Sequence, residues 1–507
     1  MDAQPDRQRY DAIVVGSGAG GSTLAYQLSR SGIRVLVIER GGFLRPERVN
    51  AAEPVGKYMH HFVKNSREAS FFVGGQTKFY GSALYRMRER DFGAAEHEMG
   101  VSPAWPVNYS DLEPYYEGAE LLYRVHGSPD GDLSEPPRAR PFPYPPIRHE
   151  PVVSKFVGRI EQSGTRVSAI PLGLDFGPEG RCVLCSTCDR YYCQLDAKMD
   201  AEIAALRPAL ASGLVHLMEQ TDCLRVLTTA DGARATGVVV RHLDRERIIH
   251  ADVVAVCAGV TGSSALLRRS RTPKHPDGLG NATGCLGRYL AGHSAGLIFP
   301  FMGWKQVPPA YTKTFAINGY YDGAPEWPYP VGVIQMAGQM PFWEQVPKPL
   351  RPFARLLGTH TLTCFYMTEA LPTRDTGLMF DGDDVVGRIP PVHNLKTFFK
   401  LRDLAVDIFR RAGHQVLARR RAPRTWHEVG TARFGDDPAT SVVDPNCEVH
   451  GIEGLFVVDA SVLPSAGAVN TTLTIIAIAL RAGDHIARRA TGMISADHER
   501  SQPGRMS

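Results

Sequence analysis

The chain has little that would tie it to a polyanion or a membrane. Its 57 lysines and arginines nearly balance 53 aspartates and glutamates, leaving a formal charge of +4 over 507 residues. With no block of like charge, nucleic acid is not an expected partner, and arginines such as those from 418 to 424 read as solvated surface. No run approaches the ~18 consecutive apolar residues of a spanning helix, so no transmembrane segment is expected. The polar start, Met-Asp-Ala-Gln-Pro-Asp-Arg-Gln-Arg, has no apolar signal core, so the expected compartment is the cytoplasm. Nine cysteines, an odd number, cannot all pair internally and are expected mostly as thiols. No internal repeat is present. What remains is ordinary globular composition, 43% hydrophobic and 22% charged, in a chain long enough for more than one domain.

The clearest pattern lies near the start. Asp11–Val15 is a short apolar run that reads as a buried parallel strand. Gly16, Gly18 and Gly21 then fill the glycine positions of G-x-G-x-x-G, Ser22–Ser31 has helical composition, and Arg34–Ile38 is a second apolar strand followed by Glu39. Strand, glycine turn, helix and strand make a βαβ dinucleotide cradle. The first glycine permits the tight turn, the second lets backbone approach a pyrophosphate, and the third lets helix pack on strand. The helix N-terminus offers unpaired N–H groups to the anion. Glu39, eighteen residues after Gly21, is placed for ribose hydroxyls and favours a free ribose over a 2′-phosphate; the adjacent Arg40 opposes that preference. Alone, this motif does not separate FAD from NAD.

Val215–Leu227, Thr236–Val240, Arg247–Val256 and Gly454–Val458 read as further strands, and Thr471–Arg489 as a long helix. The expected fold is α/β: a discontinuous Rossmann-like nucleotide domain (1–95, 200–299 and 435–490) and an α+β second domain on an antiparallel sheet (96–199 and 300–434). A polar tail follows (491–507). The stretch Glu135–Pro151, with seven prolines, reads as a surface connection. Trp304, Tyr311, Phe315, Tyr320, Phe342 and Trp343 are candidates for a sugar-stacking wall, with core the better reading for most.

The chain resembles the glucose–methanol–choline (GMC) family of flavin oxidoreductases, from Tyr10 to about Ile486. The resemblance rests on the glycine cradle, Val73-Gly74-Gly75-Gln76-Thr77-Lys78-Phe79-Tyr80-Gly81, the stretch Trp105–Tyr116, Gly287-Arg288-Tyr289-Leu290 with His293, and the block from His427 to Asn470. The stretch Trp105–Tyr116 is similar to the bacterial sugar and polyol dehydrogenase branch. The resemblance implies bound FAD and oxidation of a CH–OH group to a carbonyl. It implies cofactor contacts from Gly16, Gly18, Ala19, Gly21, Glu39 and Arg40, and from Gly74, Gly75, Thr77, Tyr80 and Gly81 in a loop passing close to the flavin. It implies others from Cys223, Ala258, Gly259, Asp459, Ala460, Asn470, Thr471 and Thr472. Relatives that attach flavin covalently do so through a histidine in that loop; Phe79 stands there, so a non-covalent flavin is expected.

By the same resemblance His427 is the catalytic base and Asn470 the second polar group at the substrate oxygen. A neutral histidine suits proton removal, its ordinary pKa being about 6.5. The family's usual proline after the asparagine is Thr471 here. The bland alternatives are that His427 only hydrogen-bonds within the core and that Asn470 only caps the helix behind it. His60, His61 and His293 carry no assigned chemistry. Electrons are expected to pass to a carrier, with oxygen, quinone or a protein all open as acceptor. Rival readings are an oxygen-using oxidase, a non-redox lyase or light-driven decarboxylase on the same scaffold, a flavin-binding subunit without turnover, and a nicotinamide-dependent reductase.

Cys182, Cys185, Cys188 and Cys193 form C-x₂-C-x₂-C-x₄-C. The spacing approaches an iron–sulfur pattern but its last gap is longer and no proline follows. Four thiolates also suit zinc. A structural loop of thiols, or one disulfide, is favoured over either metal.

Overall fold

The computed structural model describes residues 9–44, 71–186, 188–304, 311, 313–338, 347–418, 420–490 and 492. The histidines at 60 and 61, the aromatics at 342 and 343 and nearly all of the tail lie outside them. The βαβ reading is realised: strand Arg9–Val15 leads into helix Ala19–Arg30 and strand Val35–Ile38, parallel to the first. Strand Arg245–Val256 lies on the other side of the first strand, Leu455–Val457 pairs beyond it, and Val215–Met218 pairs beyond Val35–Ile38, all parallel. Two antiparallel strands, Ala235–His242 and Thr221–Thr228, complete seven. The run 215–227, expected as one strand, is two. Gln220 takes a left-handed backbone (φ 51°) and its amide donates to Gly41 O, so the chain turns there.

The parallel strands end together. Their carboxyl ends deliver Gly16, Glu39, Ala258 and Asp459 to one edge of the sheet, where ligands of open α/β sheets bind. Helix Thr472–Ala490 packs on helix Ala19–Arg30, and the small Gly483 lets it approach Gln27 closely.

The second sheet has eight strands and every pairing in it is antiparallel. Strand Ala291–Pro300 belongs here, whereas the sequence reading kept residues to 299 with the nucleotide pieces. Side chains alternate across it as the pleat requires. Ile334, Met336, Cys364 and Tyr366 pack with Phe398, Leu401 and Ile408 of helix Leu395–Arg411; each such buried side chain contributes roughly 1.5–3 kcal/mol. Val333, Ala337, Phe365 and Met367 face the nucleotide domain and join its core. The intervening Gln335 shares that inward face. Of the six aromatics, Tyr311 and Phe315 are core and Trp304 is exposed.

Candidate active site

Helix Ala19–Arg30 begins at Gly18 with no side-chain cap and no acidic residue in its first turn, so its leading amides are left for an anion. A Cβ added at Gly18 meets nothing within 4 Å. The other glycines are packing necessities: a Cβ at Gly16 would lie 2.4 Å from Cys257 O, at Gly20 2.0 Å from Val458 O, and at Gly21 1.9 Å from Gly16 O. Gly20, which the motif leaves as a variable position, is where the strand Leu455–Val457 closes on the cradle.

Glu39 is buried. Its Oε2 accepts from Ser17 N (2.9 Å) and Ser17 Oγ (2.6 Å), and Oε1 from Gly41 N (2.9 Å). Backbone amides and the Ser17 hydroxyl thus hold the carboxylate in place at the end of the second strand. Arg40 is tied to Asp222 (2.5 Å) and stacks on Phe71, so its guanidinium is already engaged. Cys223 follows Thr221, whose amide bonds Glu39 O, and this places it beside the acidic end of the cradle.

The Gly74-Gly75 loop lies against the cradle. Both glycines have positive φ (91° and 56°), Gly74 N donates to Ser17 Oγ (3.1 Å), and a Cβ at Gly75 would meet Gly18 Cα at 3.1 Å. Thr77 Oγ1 donates to Gly74 O and accepts from Ala201 N, which fixes the loop's curvature. The Tyr80 hydroxyl donates to Met199 O, and Gly81 leaves room for Lys313. Phe79 packs with Tyr192. Underneath, the buried Lys78 pairs with Asp200 (3.0 Å) and Glu202 (2.5 Å). Lys78→Met strands two buried carboxylates and is expected to lower stability by about 3–5 kcal/mol. Chemical denaturation checks this; an unchanged midpoint would mean that the pair does not hold the loop.

Across the cradle, the Asp459 side chain ties two turns together. Oδ2 accepts from Gly259 N and Ser263 Oγ, and Oδ1 from Ser461 N and Ser461 Oγ. Ala258 caps helix Gly259–Arg269, and Ala460 O accepts from Gly430 N (3.1 Å). The last of these bonds fixes the chain three residues after the candidate base.

His427 lies on strand Arg424–Val429, where the register against Ala291–Pro300 slips between Ala291 and His293. The extra residue is a β-bulge, which bends the strand and re-aims a side chain. His427 itself takes φ 49°, the left-handed region disfavoured for a residue with a Cβ. The residue is exposed to solvent although it is closely surrounded by protein atoms, as in a cleft open to solvent. Nε2 lies 3.4 Å from Asn470 Nδ2, and Nδ1 lies 2.9 Å from His293 Nδ1. Asn470 Oδ1 accepts from Gln335 Nε2 (3.1 Å). The asparagine side chain is therefore spent on its cleft neighbours and not on the helix. Helix Thr472–Ala490 starts two residues later, with Thr471 O accepting from Ile475 N.

Burial, and then the nearby Lys313 cation, push the His427 pKa down to about 4. Lys313 pairs with Asp189 (3.0 Å). His293 is fully buried and is pushed to about 3 by burial and by His427. Both imidazoles are neutral at ordinary pH.

The family blocks point to His427 and Asn470 together, mark His293 without assigning it chemistry, and leave Gln335 and Lys313 unmarked. His293 stood beside a quoted motif, but its contact with His427 joins residues 134 apart and depends on the bulge. Gln335 and Lys313 sit in a strand and a loop with no motif.

Cys182, Cys188 and Cys193 of that run are free thiols, as are the five cysteines outside it. Burial pushes the Cys188 thiol up to about 12, and Tyr311 donates to its sulfur. Among the described residues no group of three or more metal-ligating side chains is arranged to hold an ion, so zinc and iron–sulfur have no ligand set there. Among them, too, no helix is long and apolar enough to cross a membrane.

Two family models, each described as GMC oxidoreductase, match residues 10–295 and 405–479. The chain belongs to the GMC oxidoreductase family. It is 29% identical to the paromamine 6'-oxidase of Streptomyces fradiae, over 96% of this chain and 94% of that protein. It is 31% identical to the 6'''-hydroxyparomomycin C oxidase of Streptomyces lividus (94% and 91%). It is 25% identical to the 2-methyl-1,2-propanediol dehydrogenase of Mycolicibacterium austroafricanum (96% and 96%). Among solved structures, pyridoxine 4-oxidase from Mesorbium loti has the same fold, with a TM-score of 0.65 at 18% identity over 94% of this chain and 99% of that one. This GMC protein is thus an oxidoreductase with FAD as cofactor, which displaces the nicotinamide reading. Its residues fit that cofactor: uncapped helix amides, open room at Gly18, the Glu39 carboxylate fixed at the end of the second strand and a glycine loop against the cradle.

Proposed function

We propose that this protein oxidises a CH–OH group of a sugar-like or polyol substrate to the carbonyl. The observation that carries the reading is the geometry at His427: its Nε2 lies 3.4 Å from Asn470 Nδ2, and the residue is exposed to solvent. Bound FAD would supply the acceptor for the hydride that leaves the carbinol carbon. His427 Nε2 takes the hydroxyl proton, and Asn470 Nδ2 donates a hydrogen bond to the substrate oxygen, holding it as charge develops. Lys313 opposes protonation of His427 and so keeps the base ready in mildly acidic solution. The cradle residues Gly16, Gly18, Ala19 and Gly21 hold the pyrophosphate. Glu39 takes a ribose hydroxyl, and the engagement of Arg40 with Asp222 supports a ribose without a 2′-phosphate. The loop 74–81 and the backbone at Cys223, Ala258, Gly259, Asp459, Ala460, Thr471 and Thr472 complete the cofactor's surroundings. With Phe79 where a linking histidine would stand, the flavin is held without a covalent bond.

The names of the relatives support the substrate class and include both oxidases and a dehydrogenase. The acceptor is read by measuring turnover with oxygen and with an artificial acceptor on one substrate. Because His427 is active when neutral, activity is present above its pKa and lost as pH falls through it. The acid limb of the flavin-reduction rate is expected near pH 4, and a limb near 6.5 would contradict the depressed basicity.

A further inference from the structure

The polar side chains of the cleft form a chain of hydrogen bonds whose direction is set at one end. His293 Nε2 lies 3.2 Å from the backbone carbonyl of Ala466. A carbonyl oxygen only accepts, so Nε2 carries the hydrogen. His293 is neutral in its buried position, so its Nδ1 is a bare acceptor. It faces His427 Nδ1 at 2.9 Å, and that atom must therefore be the N–H. His427, also neutral, is left with a bare Nε2, and Asn470 can present only its NH₂ there, at 3.4 Å. Its Oδ1 then receives Gln335 Nε2 at 3.1 Å. Donation runs one way, from Gln335 to Asn470, to His427, to His293, to Ala466. Reversing it would set a bare imidazole nitrogen against a carbonyl oxygen.

We propose that His293 is a positioning residue: by accepting from His427 Nδ1 it holds the base in the Nδ1–H tautomer, with the Nε2 lone pair directed into the cleft. This deepens the reading of His427 as base and rests on it. The anchor is itself held. Glu369 Oε1 accepts the amides of Ala466 and Gly467 (3.3 Å each) and Ser102 Oγ (2.9 Å), and Oε2 lies 3.1 Å from His97 Nε2. The charged or titratable groups around the two rings are Glu369 and His97 on the His293 side, and Lys313 and Asp189 on the His427 side. The neutral side chain of a free histidine prefers its proton on Nε2, so the tautomer is a distinctive readout.

The test is two-bond ¹H–¹⁵N correlation on the FAD-loaded full chain labelled at histidine, together with the rate of anaerobic flavin reduction. In the parent protein His427 is expected to show a protonated Nδ1 and a bare Nε2. His293→Leu removes the acceptor; His427 is expected to shift toward Nε2–H, and reduction to slow about 10- to 100-fold with FAD retained. His293→Asn places an amide oxygen near the lost Nδ1 and should restore both the tautomer and most of the rate. A parent His427 protonated on Nε2 overturns the proposal, as does a His293→Leu protein with the parental tautomer and rate, or equal losses in both variants with the tautomer unmoved. If His293→Leu does not fold, the parent and the Asn variant still decide. If no alcohol reduces the flavin, the function reading fails while the spectra still report the tautomer.

Discussion

His427→Ala is expected to slow flavin reduction by an alcohol about 10²- to 10⁴-fold while FAD stays bound. Among the described residues its ring nitrogens contact Asn470 and His293, and none of the cradle contacts set out above passes through the ring. Truncation removes the proton acceptor and leaves the helix amides, Glu39 and the Gly74-Gly75 loop as they are. The change also relieves nothing at the backbone, since alanine has the same Cβ that makes φ 49° unfavourable. A loss in rate accompanied by loss of FAD would instead make His427 part of the cofactor site. A near-normal rate would remove it from the mechanism.

Two neighbouring glycines are expected to fail in different ways. Gly18→Ala adds a methyl group where no atom of the protein lies within 4 Å, at a backbone conformation (φ −70°, ψ −166°) that alanine accepts. The fold should hold, with a melting temperature of the cofactor-free protein close to the parent's. FAD, counted after release by denaturation, should fall to a small fraction of stoichiometry because the methyl occupies the approach to the helix amides. Gly20→Ala drives a Cβ to 2.0 Å from Val458 O, a backbone atom that cannot step aside. Either the helix or the strand Leu455–Val457 must move, so stability and cofactor should be lost together. Full FAD in Gly18→Ala would show that the pyrophosphate does not approach this turn.

The parallel strands were legible because short apolar runs ending in glycine or acid leave few other conformations. The inner sheet order was not, since Leu455–Val457 joins it from two hundred residues beyond Arg245–Val256. The break at Gln220 was also unreadable: a non-glycine residue in the left-handed region leaves no compositional mark. At the site, the family blocks brought His427 and Asn470 forward, and the tempting local reading of Asn470 as a helix cap failed because tertiary partners claimed its side chain. Gln335 and Lys313 became visible only in space, and so did the role of His293, which the family-like stretch had marked without chemistry. Each has its meaning through a residue on another strand or loop, and in His293's case through a bulge that no periodicity announces. Gly20 was hidden by the motif's own notation, although its neighbour Val458 constrains it as tightly as Gly16 constrains Gly21.

Oxidation of an alcohol through His427 is tested by an anaerobic titration in the dark, following the visible flavin band of the purified protein. Sugars, amino sugars, polyols and simple alcohols would be added in turn. The prediction is stoichiometric bleaching by at least one sugar-like or polyol compound, with the matching carbonyl product recovered and no bleaching in His427→Ala on the same timescale. A yellow protein whose band no such compound reduces, or bleaching that proceeds equally well without His427, would contradict it.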